Sequence, residues 1–116
     1  MPTYQITPCP KPRMTRSDRW KKRPAVMRYW DFVEQVRLAN VKLPEFGAHV
    51  EFNIKMPRSW TKKQRELHNK TPHQQRPDLS NLLKALEDAV YGEDCHIWHY
   101  ASVCKLWAVE GAIRIE

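Results

Sequence analysis

The chain has 116 residues, 41% of them hydrophobic and 28% charged, with a formal net charge of +7 at pH 7. This length suits one domain with a single core, and no uncharged apolar run approaches the roughly 18 residues of a membrane span, so we expect a soluble protein with no membrane partner. The N-terminal segment lacks the apolar stretch of a signal peptide, and three cysteines cannot all pair within one chain, which favours a reducing cytoplasm.

The charge is distributed unevenly along the chain. Residues 1–77 hold 17 Lys and Arg against 6 Asp and Glu, a net charge of +11, whereas residues 78–116 hold 3 against 7, a net charge of −4. The basic part suits a polyanion, most economically the phosphates of a nucleic acid, because each neutralised phosphate releases counterions. The alternative is a basic surface that is merely well solvated.

The first predicted elements are a short strand, a basic arm and a helix. Weak alternation predicts a strand over residues 4–7, and three prolines at alternate positions close it. Residues 11–23 are dense in Lys and Arg and lack apolar periodicity, which predicts an extended arm or loop. Pro24 suits the first turn of a helix that continues to about Asn40. The apolar positions of this helix are Val26, Trp30, Val33 and Val36.

The later segments predict a strand, a short helix and a hairpin. Residues 48–56 alternate cleanly, with their apolar side chains on one face and polar side chains on the other. Ser59 is the expected cap of a basic helix that runs to about His68. Near the C-terminus, residues 102–109 and 112–115 flank a Glu-Gly pair, a pattern typical of a β-hairpin.

Another predicted helix, over residues 79–91, combines a core-facing side with a polar side. Its leucines, with Ala89 and Val90, fall within an arc of roughly 120°. The opposite arc is polar and carries Ser80 and Lys84 one turn apart. Gly92 fits the left-handed position that ends a helix, with two acidic residues just beyond it.

Asp78, directly before this helix, has two interpretations. An aspartate at a helix start accepts hydrogen bonds from backbone N–H groups and complements the helix dipole. Alternatively, Asp78 belongs to a metal site together with the acidic pair Glu93 and Asp94. Mg²⁺ takes one or two carboxylates plus waters and phosphate oxygens, so a few acids in a basic protein suggest a metal ion placed against a nucleic-acid backbone.

Three stretches of the sequence resemble the RusA family of Holliday junction resolvases, which is found in bacteria and their phages. They are HQQRPDLSNLLKALEDAVYGEDCHIW at 73–98, PKPRMTRSDRWKKRP at 10–24 and KLWAVEGAIRI at 105–115. The resemblance implies an α/β (α+β) fold: one small domain over residues 1–116, a mixed sheet of about four strands with packed helices, and a homodimer. It also implies a Mg²⁺-dependent, or Mn²⁺-dependent, endodeoxyribonuclease without a small-molecule cofactor, which binds four-way DNA junctions and cuts them during recombination and repair in a bacterial or phage-infected cell.

The resemblance assigns roles to several positions of this chain. Asp78 and Asp94 match the family's essential carboxylates, and Lys84 matches its lysine, so these three are the expected catalytic residues. The metal ligands would be Asp78, Asp94 and Glu93, with Asn81 in a supporting role.

One position departs from the family pattern. Ser80 stands where the family has a second aspartate, and a neutral hydroxyl cannot supply a carboxylate's charge. Metal affinity should therefore fall unless Glu93 or Asp88 compensates. A junction-binding protein with little or no catalysis is the corresponding alternative.

The basic segments supply the expected DNA contacts, which would grip phosphates without reading bases. These residues are Lys11, Arg13, Arg16, Arg19, Lys21, Lys22, Arg23 and Arg76. Trp20 or Trp60 either stacks on an unpaired base or packs against its own loop, and His73 is a candidate phosphate contact.

Two further expectations concern geometry near the acidic pair. A helix unbroken over 79–91 is about 20 Å long and would leave Asp78 and Asp94 of one chain about 10 Å apart. Either the helix ends early and the chain folds back, which we favour, or a two-fold partner supplies Asp94. No zinc site is expected from Cys95, His96, His99 and Cys104, because in an extended segment adjacent side chains point to opposite faces.

Overall fold

The computed structural model describes residues 2–13, 23–93 and 95–116. Within this part of the chain, three helices and four strands are formed. The helices are α1 (Pro24–Leu38), α2 (Lys62–His68) and α3 (Leu79–Tyr91). The strands are β1 (Thr3–Tyr4), β2 (Ala48–Lys55), β3 (Tyr100–Ala108) and β4 (Ala112–Ile115). No helix in the described ranges is long and apolar enough to cross a membrane.

The four strands form one mixed sheet in the order β1-β4-β2-β3. Strand β2 pairs parallel with β3 and antiparallel with β4, so Phe52 has Lys105 on one side and Ile113 on the other. The single α+β domain with a mixed four-stranded sheet, as predicted, is confirmed. The β-hairpin predicted at the C-terminus is wrong, because β2 lies between β3 and β4. The Glu-Gly pair identified a reversal of the chain but not the strand's partner.

The core lies between the sheet and the helices α1 and α3. Alternate residues of β2 enter it, and Val50 and Phe52 are fully buried beside Leu86 of α3 and Ile113 of β4. The other face of β2 is polar: Glu51 accepts a hydrogen bond from Arg114 on β4 at 3.2 Å. The clean alternation of β2 thus gives the sheet one buried and one polar face, as predicted.

Two predicted element ends were wrong. The first strand ends at Tyr4 rather than at residue 7. Helix α2 is capped by Thr61 rather than Ser59: the Thr61 hydroxyl accepts from the Gln64 N–H, and the Gln64 side chain accepts from the Thr61 N–H. This reciprocal pair satisfies two backbone donors, an advantage that Ser59 does not have here.

The helices follow their predicted periods with one exception. Helix α1 begins at Pro24 but buries Tyr29 and Phe32, while Trp30, predicted to face the core, is 55% exposed. Helix α3 has its predicted bounds, and Gly92 ends it with φ of +80°. We favoured an early end to this helix, with the chain folding back; that expectation is therefore wrong.

Candidate metal and nucleic-acid site

The loop between α2 and α3 runs along the free edge of β3. The Trp107 N–H donates to the Thr71 carbonyl at 3.0 Å, and the His73 N–H donates to the Lys105 carbonyl at 3.1 Å. The His73 ring packs on Trp107, with centroids 4.3 Å apart. These contacts fasten the loop to the sheet directly before the residues that lead into Asp78.

Lys105 fixes the last part of this loop. Its side chain donates to the carbonyls of Gln75 and Pro77, the latter at 2.7 Å. An ammonium group has three donors and makes stronger hydrogen bonds than a neutral group. One side chain from the sheet thus holds the backbone on both sides of Arg76 and sets where Asp78 emerges.

Asp78 is the N-cap residue of α3, but its carboxylate does not cap the helix. The Leu82 N–H donates to the Asp78 carbonyl at 3.1 Å, whereas no first-turn N–H donates to the side chain. Within residues 2–13, 23–93 and 95–116, the exposed Asp78 carboxylate has no hydrogen bond or ion pair. The capping interpretation therefore does not explain this residue, and its two oxygens can accept an external ligand.

A cavity of about 580 Å³ opens beside Asp78. Arg76 and Asn81 line it from the loop and from the first turn of α3, and Lys11 lines it from the N-terminal segment. Lys11 also forms an ion pair with Asp88, further along α3. The cavity therefore combines the Asp78 carboxylate, a ligand type that Mg²⁺ takes beside substrate phosphates, with the guanidinium of Arg76 and the Asp88-paired ammonium of Lys11.

The polar side of α3 continues the site away from the cavity. Ser80 and Lys84 are both exposed, as the helical wheel predicts. Asn81 is half-buried at the cavity wall. Asp88, predicted to lie on the exposed arc, instead has a side chain only 12% exposed because Lys11 covers it.

Helix α3 separates Asp78 from Glu93. Its 13 residues make it about 20 Å long, and Glu93 lies beyond its far end. The His96 ring stacks on Tyr91 with centroids 5.0 Å apart, which keeps the following segment at that end. Asp94 lies outside the described residues. Glu93 is therefore not brought to the Asp78 cavity by the fold of one chain.

Of the predicted DNA-binding set, Lys11 and Arg76 line the cavity. Arg13 and Arg23 are exposed, and Arg23 donates to the Arg13 carbonyl at 2.8 Å, which joins the two ends of the basic arm. The remaining predicted contacts, with Trp20, lie outside the described residues; they are Arg16, Arg19, Lys21 and Lys22.

Two aromatic residues have structural roles. Trp60 packs on Trp107 at 4.7 Å and on His68 at 5.1 Å, which agrees with the alternative that it packs against its own surroundings. The prediction that His73 contacts phosphate is wrong, because this residue is only 4% exposed. Burial, with Lys105 nearby, lowers the pKa of His73, so this ring is preferentially neutral.

Lys105 is a site residue that was not predicted from the sequence, although a lysine in the middle of a strand rich in apolar residues is a signal of a specific partner. The partner is the backbone of a loop about thirty positions earlier, which no local pattern identifies.

The residues at the cavity fit a hard divalent cation. Asp78 offers carboxylate oxygens that have no partner among the described residues, and Asn81, which lines the same cavity, offers an amide oxygen. Oxygen donors in small number, with room for waters and a phosphate, are the ligands of Mg²⁺.

Comparison with known proteins gives a match to one family model. The model is described as endodeoxyribonuclease RusA and matches residues 4–116. No curated protein and no solved structure matches the chain. Because the family model covers nearly the whole chain, this protein belongs to the RusA endodeoxyribonuclease family.

Proposed function

We propose that this protein is a divalent-metal-dependent endonuclease that cuts four-way DNA junctions as a homodimer in the cytoplasm of a bacterial or phage-infected cell. Family membership supports nuclease activity on branched DNA. One observation assigns the proposal to particular residues. The exposed Asp78 carboxylate has no partner in the described chain, and it lines the same cavity as Arg76 and Lys11.

The substrate phosphate is held by the cations around the cavity. Arg76 lines the cavity from the loop and Lys11 from the N-terminal segment, and Arg13 and Arg23 are further exposed cations, at the two ends of the basic arm. Contacts to phosphates orient the duplex without reading its sequence. Such binding weakens as salt rises, because phosphate neutralisation releases counterions.

Asp78 is the proposed metal ligand of this chain, with Asn81 in support. A bound ion would supply positive charge to the phosphate and lower the pKa of the attacking water, and Asp78 would orient that water. In the hydrolysis, the water oxygen bonds to phosphorus opposite the 3′ oxygen as the bond from phosphorus to that oxygen breaks. The water releases a proton to solvent and the 3′ oxygen takes one from solvent, which leaves a 5′ phosphate and a 3′ hydroxyl. Lys84, exposed one turn along α3 from Ser80, is a second cation for the charge that develops on the phosphate.

Asp94 enters the proposal through the dimer. Because an unbroken α3 of about 20 Å lies between Asp78 and Glu93, the residue before Asp94, we infer that Asp94 of one subunit completes the Asp78 cavity of its two-fold partner, which leaves Glu93 outside that cavity. A two-fold dimer also presents two such sites to two like strands of a junction.

Mixed dimers test this arrangement. An Asp78→Asn chain combined with an Asp94→Asn chain has one intact site if the acids are shared between subunits, and none if each site belongs to one chain. We expect the heterodimer to regain single-strand nicking that neither mutant homodimer shows. A heterodimer as inactive as both homodimers would exclude the shared site.

Ser80 supports a second candidate function, a junction-binding protein with weak or no cleavage. The position is exposed on α3 and offers only a hydroxyl where the family pattern has a carboxylate. With one carboxylate fewer, the site would hold a divalent cation less tightly.

A cleavage assay on a synthetic four-way junction separates the two functions. Wild type, Asp78→Asn and a control, Asp31→Asn, are compared with Mg²⁺, with Mn²⁺ and with a chelator. Asp31 is an exposed aspartate on α1 that lines a different cavity. Since even a residue that supports a metal ligand is worth about 10- to 100-fold in affinity or activity, Asp78→Asn should lower cleavage by at least about 100-fold and preserve junction binding, while Asp31→Asn leaves both unchanged.

The outcomes of this assay differ clearly. Metal-dependent nicking that Asp78→Asn abolishes supports the endonuclease. Tight junction binding without nicking in either metal supports the second candidate. Equal affinity for the junction and for linear duplex excludes both, and would indicate a general basic nucleic-acid binder.

A further inference from the structure

The segment after α3 brings three different metal-ligating groups together. They are the Glu93 carboxylate, the Cys95 thiol and the His96 imidazole, and their ligating atoms lie within 4.8 Å of one another. The Cys95 Sγ donates to the Glu93 Oε2 at 3.3 Å, and the His96 Nε2 lies 3.7 Å from the same oxygen. The expectation that Cys95 and His96 point to opposite faces is wrong, because this segment is not an extended strand.

Two of the three distances between these atoms match those of a tetrahedral site. With zinc bond lengths of about 2.3 Å to sulfur and about 2.0 Å to nitrogen or oxygen, two ligands of a tetrahedron lie about 3.3 to 3.6 Å apart. The distances from Glu93 to Cys95 and His96, 3.3 and 3.7 Å, are close to these values. The third distance, from Cys95 to His96, is at most 4.8 Å, so a metal ion can contact all three groups once the Cys95 and His96 side chains move toward each other.

Contacts around the cluster orient one of its ligands. The His96 ring stacks on Tyr91 at 5.0 Å with 24° between the ring planes. Tyr91 is itself fixed, since its hydroxyl donates to the Leu43 carbonyl. The imidazole is thus oriented before a metal binds, which reduces the entropy lost on binding.

We propose that Glu93, Cys95 and His96 form a binding site for one Zn²⁺ or a similar borderline-soft divalent cation, distinct from the oxygen site at Asp78. A thiolate and an imidazole favour Zn²⁺ and Co²⁺ over Mg²⁺. On binding, the Cys95 thiol loses its proton to solvent and the thiolate sulfur takes the ion, while a water completes four ligands. All three residues are exposed, so the ion has direct access.

Titration of the purified metal-free protein with Co²⁺ tests the site. A cysteine ligand gives a sulfur-to-cobalt charge-transfer band in the near ultraviolet, and a tetrahedral ion gives intense visible bands. We expect one Co²⁺ per chain with both features, and their loss when Zn²⁺ is added. Since residues that merely support a ligand are worth about 10- to 100-fold in metal affinity, Cys95→Ser and His96→Ala should each weaken Zn²⁺ binding by at least about tenfold.

Matched controls use the exposed cysteine and an exposed histidine outside the cluster, Cys104→Ser and His99→Ala. These should bind Co²⁺ as wild type does. The inference is overturned if Cys95→Ser retains the charge-transfer band, if Cys104→Ser loses it, or if wild type binds no Co²⁺. Circular dichroism checks that each variant is folded. The readout is metal binding alone, so its result is independent of nuclease activity.

Discussion

Replacing Lys105 by methionine tests whether the loop before Asp78 is positioned from the sheet. The substitution keeps the length and apolar stem of the side chain but removes the ammonium that donates to the carbonyls of Gln75 and Pro77. Both carbonyls then depend on water, so residues 75–77 lose their hydrogen bonds to β3, while the backbone hydrogen bond from His73 to Lys105 remains.

This substitution should lower both the free energy of unfolding and the rate of junction cleavage. Hydrogen bonds from a charged donor contribute about 1.5 to 3 kcal/mol each, and since Lys105 is only half-buried and water can replace it, we expect a loss of about 2 kcal/mol in the free energy of unfolding. For a chain of this size that loss lowers Tm by roughly 6 to 12 °C. A shift of about 1 Å in a positioned group can cost about 100-fold in rate, so junction cleavage should fall by about that factor.

The assay compares cleavage and binding of the four-way junction well below the Tm of the variant. Lys105→Met should cut slowly but bind with nearly the affinity of wild type, because the exposed phosphate contacts remain. Lys105→Arg, which keeps the charge and the donors, should recover part of the rate. Lys55→Met is the matched control: the exposed Lys55 side chain on β2 makes no hydrogen bond or ion pair within the described residues.

Two results would refute this reasoning. If folded Lys105→Met cleaves within about twofold of wild type, Lys105 does not position Asp78. If Lys105→Met and Lys55→Met lose the same activity, the effect is not specific to the loop.

Three further predictions concern single residues. Ser80→Asp restores a second carboxylate and should lower the Mg²⁺ concentration for half-maximal cleavage by about tenfold; an unchanged Mg²⁺ titration would count against a metal at this end of α3. Burial and Lys105 lower the pKa of His73 in the folded state, so the unfolded chain binds more protons and wild type should lose stability as the pH falls through about 6.5. His73→Gln should lose less between pH 7.5 and 5.0 in urea midpoints, and an equal loss would contradict the assignment. Gly92 has φ of +80° with open space around an added Cβ, so Gly92→Ala should cost about 1 kcal/mol in urea unfolding, whereas no loss would show that the helix end relaxes.

Local periodicity and capping accounted for much of the fold. Helix α3 and its end at Gly92 were predicted at their observed bounds, and β2 was predicted with the correct buried face. The prediction of α1 was nearly as good, but the choice of Trp30 as a core residue was not. The apolar residues of a helix can allow two similar choices of buried face. The elements that pack against the helix then decide which face is buried, and the sequence of the helix alone does not show this.

The candidate site divides in the same way. Asp78 was identified from its place before a helix and from the family resemblance, but only the structure showed that its carboxylate is not used as a cap. Lys105, His73 and the pairing of Lys11 with Asp88 were not predicted, because each joins segments far apart in the sequence.

The sequence by itself determined the helices, the central strand, the basic surface and the family, since these follow from side-chain spacing, charge and short motifs within one segment. Only the tertiary structure decided that β2 separates β3 from β4, that Lys105 holds the loop before Asp78, and that Glu93, Cys95 and His96 converge. The physical reason is that distant segments compete for burial and for hydrogen bonds. Strand pairing and long-range side-chain contacts are therefore decided only when the whole chain packs.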